Sequence, residues 1–132
     1  MESGNKIKNA SLLSLCIFTV LLFVGCASSS VNRIGSETFA PLPETSPVLI
    51  FSNETEINKP YATIGIISYT NPGKYQISTI GDAIPDLQTK ARSIGANGVI
   101  IDQAIPIKSG VISTGISLKA RAILIFENPT PK

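Results

Sequence analysis

Histidine and tryptophan are absent from the 132 residues, and cysteine occurs only twice, as Cys16 and Cys26. Without imidazole, Ser-His-Asp and Cys-His catalysis are excluded. Zinc held through histidine or a thiolate set is excluded with them. Charge of either sign is sparse, with eleven Lys and Arg against nine Asp and Glu. There is no basic run and no acidic tail, so the footprint of a nucleic-acid binder is missing. The carboxylates are scattered and lack the spacing of a Ca²⁺ loop. No glycine-rich loop opens a helix, which removes a phosphate cradle. With no catalytic, metal or cofactor motif, the chain reads as a non-enzyme without a cofactor.

What is present begins with a leader. Lys6 and Lys8 form a short basic region, and Leu12 to Val24 form an apolar run interrupted by Ser14 and Thr19. Gly25 then precedes Cys26. These are the parts of a secretory signal peptide. The run is short of the roughly 20 residues that a spanning helix needs. Ala10 and Ala27 extend it to a marginal span, which makes a single-pass anchor the alternative.

The stretch "LFVGC" resembles the lipobox of bacterial lipoproteins. Val24 and Gly25 fit the pattern, and Phe23 stands where leucine is usual. The resemblance implies cleavage after Gly25, diacylglycerol on the Cys26 thiol and acylation of the new amino terminus. Cys16, preceded by Leu15 inside the apolar run, does not fit. One acyl chain binds a membrane marginally at about 0.8 kcal/mol per methylene, whereas two or more hold stably. Ala27, in place of aspartate, implies the outer membrane in a two-membrane bacterium.

Residues 26–46 are rich in Ser, Pro and Thr and read as a flexible, lipidated tether. The body is expected over residues 47–128, with 129–132 as a tail. Residues 47–52 and 61–70 read as strands, the second with Ala62, Ile64 and Ile66 on one face. "NPGK" at 71–74 signals a turn. Ile80, Ala83, Ile84, Leu87, Ala91 and Ile94 form one helical stripe. Asp82 is the expected N-cap, with Pro85 in the first turn and Gly95 at C′, which gives a helix over 82–94. Residues 97–105 and 116–127 read as further strands, and 106–115 as a long hairpin tip or a strand continuation. The order β-β-α-β-β predicts a single small α+β domain, one helix on an antiparallel or mixed sheet.

"LQTKARSIGANGVIID", residues 87–102, resembles a segment of small bacterial domains that include the lipoprotein stress sensor of the Rcs phosphorelay and domains designated heavy-metal-binding. In these an amphipathic helix ends in Gly-Ala-Asn-Ala and runs straight into an apolar strand. Leu87, Ala91, Ile94, Gly95, Ala96, Asn97, Val99 and Ile100 match, and Gly98 stands where alanine is usual. An Ile-Gly pair, here Ile64-Gly65, often precedes. The resemblance implies the fold, with a sensing role attached to some members.

Among single residues, Asp102 stands out within an apolar strand, on the face of Ile100 and Ala104. A solvent-facing position and a buried functional carboxylate are the two readings. Lys119 and Arg121 share a strand face that Ile123 and Ile125 then turn apolar. A strand apolar on both faces is central or covered by a partner. These four residues form the expected interaction face. The leading reading is therefore an envelope lipoprotein, anchored through Cys26, that presents its body to a protein partner or its own copy in an accessory or sensor role. The alternative is a binding module for a lipid or envelope polymer, with Asp102 or Arg121 at the mouth of a pocket.

Overall fold

A computed structural model describes residues 27–73, 77–109 and 111–127. Gly25 and Cys26 lie outside the described residues, as do Lys74 and the tail. Among the described residues are five strands, one α-helix and a 3-10 turn (Glu54–Glu56): β1 (Ser28–Arg33), β2 (Leu49–Phe51), β3 (Tyr61–Asn71), α1 (Ile80–Ser93), β4 (Gly98–Ser109) and β5 (Ile112–Ile125). They form one sheet in the order β1-β3-β5-β4-β2, antiparallel except for the parallel pair β2–β4. The α+β architecture on a mixed sheet agrees with the expectation from sequence.

The tether expected over 26–46 is corrected. Ser28–Arg33 is a strand on the free edge of β3, and Val31 packs against the core. The following segment is strapped to α1. The Leu42 N–H donates to the Arg92 carbonyl (2.9 Å), and Arg92 Nε donates to the Ser46 carbonyl (2.8 Å). An edge strand needs only one apolar side chain inward, so a serine-rich segment can supply it. The body thus begins at β1, some twenty residues before the expected boundary.

Helix α1 starts at Ile80, with Thr79 as N-cap rather than Asp82. Asp82 sits at N3, and its Oδ2 accepts from the Thr79 N–H (2.7 Å) and Oγ1 (2.9 Å). Those bonds hold the Asp82 carboxyl below the usual carboxylate range, the backbone bond first. Pro85 consequently falls past the first turn, where its missing N–H leaves the Gly81 carbonyl without a helical partner. At the other end Gly95 occupies C′ with φ +86°, as expected. The Gly95 and Ala96 N–H groups donate to the carbonyls of Arg92 (3.1 Å) and Ala91 (3.0 Å), a Schellman closure.

The helix buries Ala83, Leu87, Ala91 and Ile94 against Ile64, Ile67, Tyr69, Val99, Leu118, Ala120 and Ala122. The expected inward set of β5, from Ile116 to Leu124, holds, while Phe126 lies beyond the strand and is exposed. In β3 the expected face is corrected: a register shift between Thr63 and Gly65 carries Ile67 and Tyr69 inward and turns Ile66 away. The loop at 106–115 resolves into a long hairpin, in which β4 and β5 stay paired to Ser109↔Ile112.

Strand β2 lies at one edge and β3 near the other, so the connection Ser52–Pro60 must cross β4 and β5. It does so on the face turned away from α1. There Ile100 and Ile123 are buried although neither belongs to the helix-side core. The Phe126 N–H donates to the Pro60 carbonyl (3.0 Å) where the crossing ends. The crossing is the physical reason for the two-sided apolarity of β5, which is central and covered by its own chain.

Candidate functional site

The crossing segment and the adjacent strand ends build two neighbouring features. The first is a charge cluster. Arg121 Nε donates to Asp102 Oδ2 (2.9 Å) and Nη2 to Oδ1 (2.8 Å), and Nη2 also pairs with Glu54 Oε1 (2.6 Å). Asp102 reaches Arg121 because β4 shifts register between Ile101 and Gln103. That shift passes Ala104 to the helix side opposite Leu118, so Asp102 shares a face with Ile100 but not with Ala104. The two carboxylates raise the Arg121 pKa, Asp102 first. The cluster borders a shallow recess of about 240 Å³ that includes Ser52, Asn53 and Ile100. Each charged side chain has an opposite partner within the cluster, which keeps one net negative charge, and Asp102 is a partly exposed ion-pair member rather than an isolated buried acid.

The second feature is an apolar groove of about 360 Å³ at the end where β2 and β4 begin and β5 ends. Leu49, Phe51, Ile57 and Ile125 line it, with Glu56, Lys59 and Glu127 around the opening. Leu49 is 54% exposed on the three-residue edge strand β2. Asn97 forms the floor: its Nδ2 donates to the Ile125 carbonyl (3.0 Å), and its Oδ1 accepts from the Ile125 N–H (2.7 Å). The side-chain amide thereby continues the β4–β5 ladder by one step.

Of the expected interaction face, Ile125 lines the groove, and Lys119 is exposed farther along the sheet. Arg121 is engaged by Asp102 and Glu54. Ile123 is corrected: it is fully buried beneath the crossing segment and offers nothing to a partner. Asp102 and Arg121 border the smaller recess instead of standing at the mouth of the groove. Sequence reading missed Leu49, Phe51 and Ile57 as a set. Ile57, a lone apolar residue in a polar connection, was the available signal. Among the described residues no three Cys, Asp or Glu side chains converge on a metal position, and no helix is long and apolar enough to cross a membrane.

No protein-family model and no curated protein matches the chain. The fold is similar to the crystal structure of a Francisella virulence factor, FvfA. The two are 12% identical with a TM-score of 0.50, over 74% of this chain and 97% of that chain. At that identity the likeness concerns the fold alone.

Proposed function

We propose that this is a non-enzymatic, lipid-anchored protein of the cell envelope whose α+β body presents the Leu49–Ile125 groove to a protein partner. The observation that carries the reading is the open apolar groove at the end of the sheet remote from Ala27. Ser28 pairs with Thr70 and Ile125 with Tyr61, nine residues apart along β3. That separation is about 30 Å along the strand. An anchor at Cys26 would leave the groove facing away from the attachment point. The basic region, apolar run and lipobox resemblance of residues 6–26 support the anchor.

A photo-crosslinking side chain at Leu49 tests the partner, with one at Ser68 on the open sheet face as the control. A distinct adduct from Leu49 alone is expected in intact cells. No adduct, or the same adducts from Ser68, overturns the reading. Adducts with a second copy would make that partner the chain itself. A second reading, capture of an apolar ligand such as an acyl chain, is favoured by the groove's volume and lining. Lipid co-extracted with the wild-type protein and lost from Phe51→Glu would select it. For the anchor, a labelled fatty acid should enter the wild-type chain and not Cys26→Ser.

A further inference from the structure

The end of the molecule opposite the groove carries its own exposed apolar residues. Ile77 (70%), Ile105 (48%) and Val111 (102%) are exposed there, with Lys108 on the same hairpin. Strand register fixes their place. Ser28, Thr70, Ser117 and Ile105 form one row across β1, β3, β5 and β4. The Ser78 N–H donates to the Thr114 carbonyl (2.9 Å), which sets Ile77 beside β5 just beyond that row. The β4–β5 ladder runs on through Lys108↔Ser113 to Ser109↔Ile112, and Val111 stands at the tip. The tip reaches about 16–20 Å past the row at 3.3 Å per residue.

The chain enters the body at the same end and in the same direction. Strand β1 is antiparallel to β3, so stepping back from Ser28 to Ala27 continues the course of β3 beyond Thr70. Ala27 is already packed against the core, so no spacer separates the residue after Cys26 from the sheet. Asp82, at this end, is bound into the helix cap by Thr79.

We propose that this end is a bilayer-contact surface, in which Val111 and Ile77 enter the interfacial region of the membrane and Lys108 meets its anionic headgroups. The inference rests on the lipoprotein reading and adds an orientation to it. Acyl chains on Cys26 place Ala27 at the membrane surface, and the hairpin projects past Ala27 toward the lipid. A body held upright puts the tip into the interface, and a tilted one lays Ile105 and Ile77 on it. Apolar side chains with a flanking lysine suit that layer.

The chain contains no tryptophan, so one introduced residue reports its own surroundings. Full-length, acylated V111W, I77W and F126W are reconstituted into phosphatidylethanolamine–phosphatidylglycerol vesicles with bromines high in the acyl chains, and fatty-acid incorporation is measured on the same samples. Emission of V111W and I77W is expected to be blue-shifted on vesicle binding and quenched by about half or more, while F126W at the groove end is not quenched. Acylated V111W and I77W that remain unquenched, or F126W quenched equally, would overturn the contact surface and leave the anchor standing. Absence of fatty acid from the protein would overturn both.

Discussion

At Gly95 the backbone leaves α1 with φ +86°, and a Cβ there would lie 2.6 Å from Phe39 Cβ and 2.8 Å from the Ala40 carbonyl. The segment that follows β1 is responsible for that crowding, so the glycine serves both the helix end and the strap beside it. Gly95→Ala should lower unfolding stability by about 1–3 kcal/mol, read as a lower urea midpoint with unchanged slope. Two residues on, Asn97 gives both polar atoms of its side chain to the Ile125 backbone. Asn97→Ala leaves those groups partly buried and unpaired, and should cost about 1–3 kcal/mol. Asn97→Asp keeps the shape but loses the donor and should fall short of wild type as well. Midpoints equal to wild type would deny Asn97 its ladder role. Gly95 was legible because a helix stripe ending at Ile94 demands a left-handed residue next. Asn97 was not, since its partner at Ile125 is distant in sequence and local spacing carries no trace of it.

Among the elements, α1 shows what periodicity can and cannot place. Its buried stripe follows from spacing alone. Its start does not, because both Thr79 and Asp82 are good caps, and the choice depends on which carboxylate can turn back to the Thr79 N–H. The Asp82 pKa is depressed in the folded state, so its contribution is present at neutral pH. It is lost as pH falls below the unfolded carboxylate value of about 3.9 and through the folded one. Asp82→Asn should therefore lower the urea midpoint at pH 7 and narrow its gap to wild type at acid pH. An equal deficit at both pH values would rule out the charge. Pro85→Ala restores the bond to the Gly81 carbonyl on an exposed face and should stabilise the protein by about 1 kcal/mol or more. The strands carry a different lesson. Alternation located them, but the register shifts at Thr63/Gly65 and Ile101/Gln103 reassign Ile66 and Ala104. A shift of one residue exchanges the faces without altering composition.

For the whole molecule, the domain boundary is the larger revision. A chain that begins at Pro47 lacks β1 and the strap on α1, and opens the outer edge of the eleven-residue β3. Such an edge pairs with other chains. The truncated chain should aggregate on size-exclusion chromatography and lose its cooperative urea transition, whereas one that begins at Ala27 keeps both. A truncated chain with wild-type behaviour would return residues 27–46 to the status of a tether. The groove was only partly legible for a related reason. Ile125 follows from the two-sided apolarity of β5. Ile123 follows on the same grounds, yet it is covered by Ser52–Pro60, whose route depends on the strand order of the entire sheet.

That strand order also governs timing. The last of the described strands in sequence, β5, is the central one, bonded to β3 on one side and β4 on the other. Until it emerges, β1 with β3 and β2 with β4 are separate pairs that cannot close a shared core. A chain synthesised from its N-terminus therefore has no complete sheet to fold prematurely, and it collapses to its final form only once its C-terminal portion is free. Under the lipoprotein reading proposed above, such a delay would keep the body threadable during export.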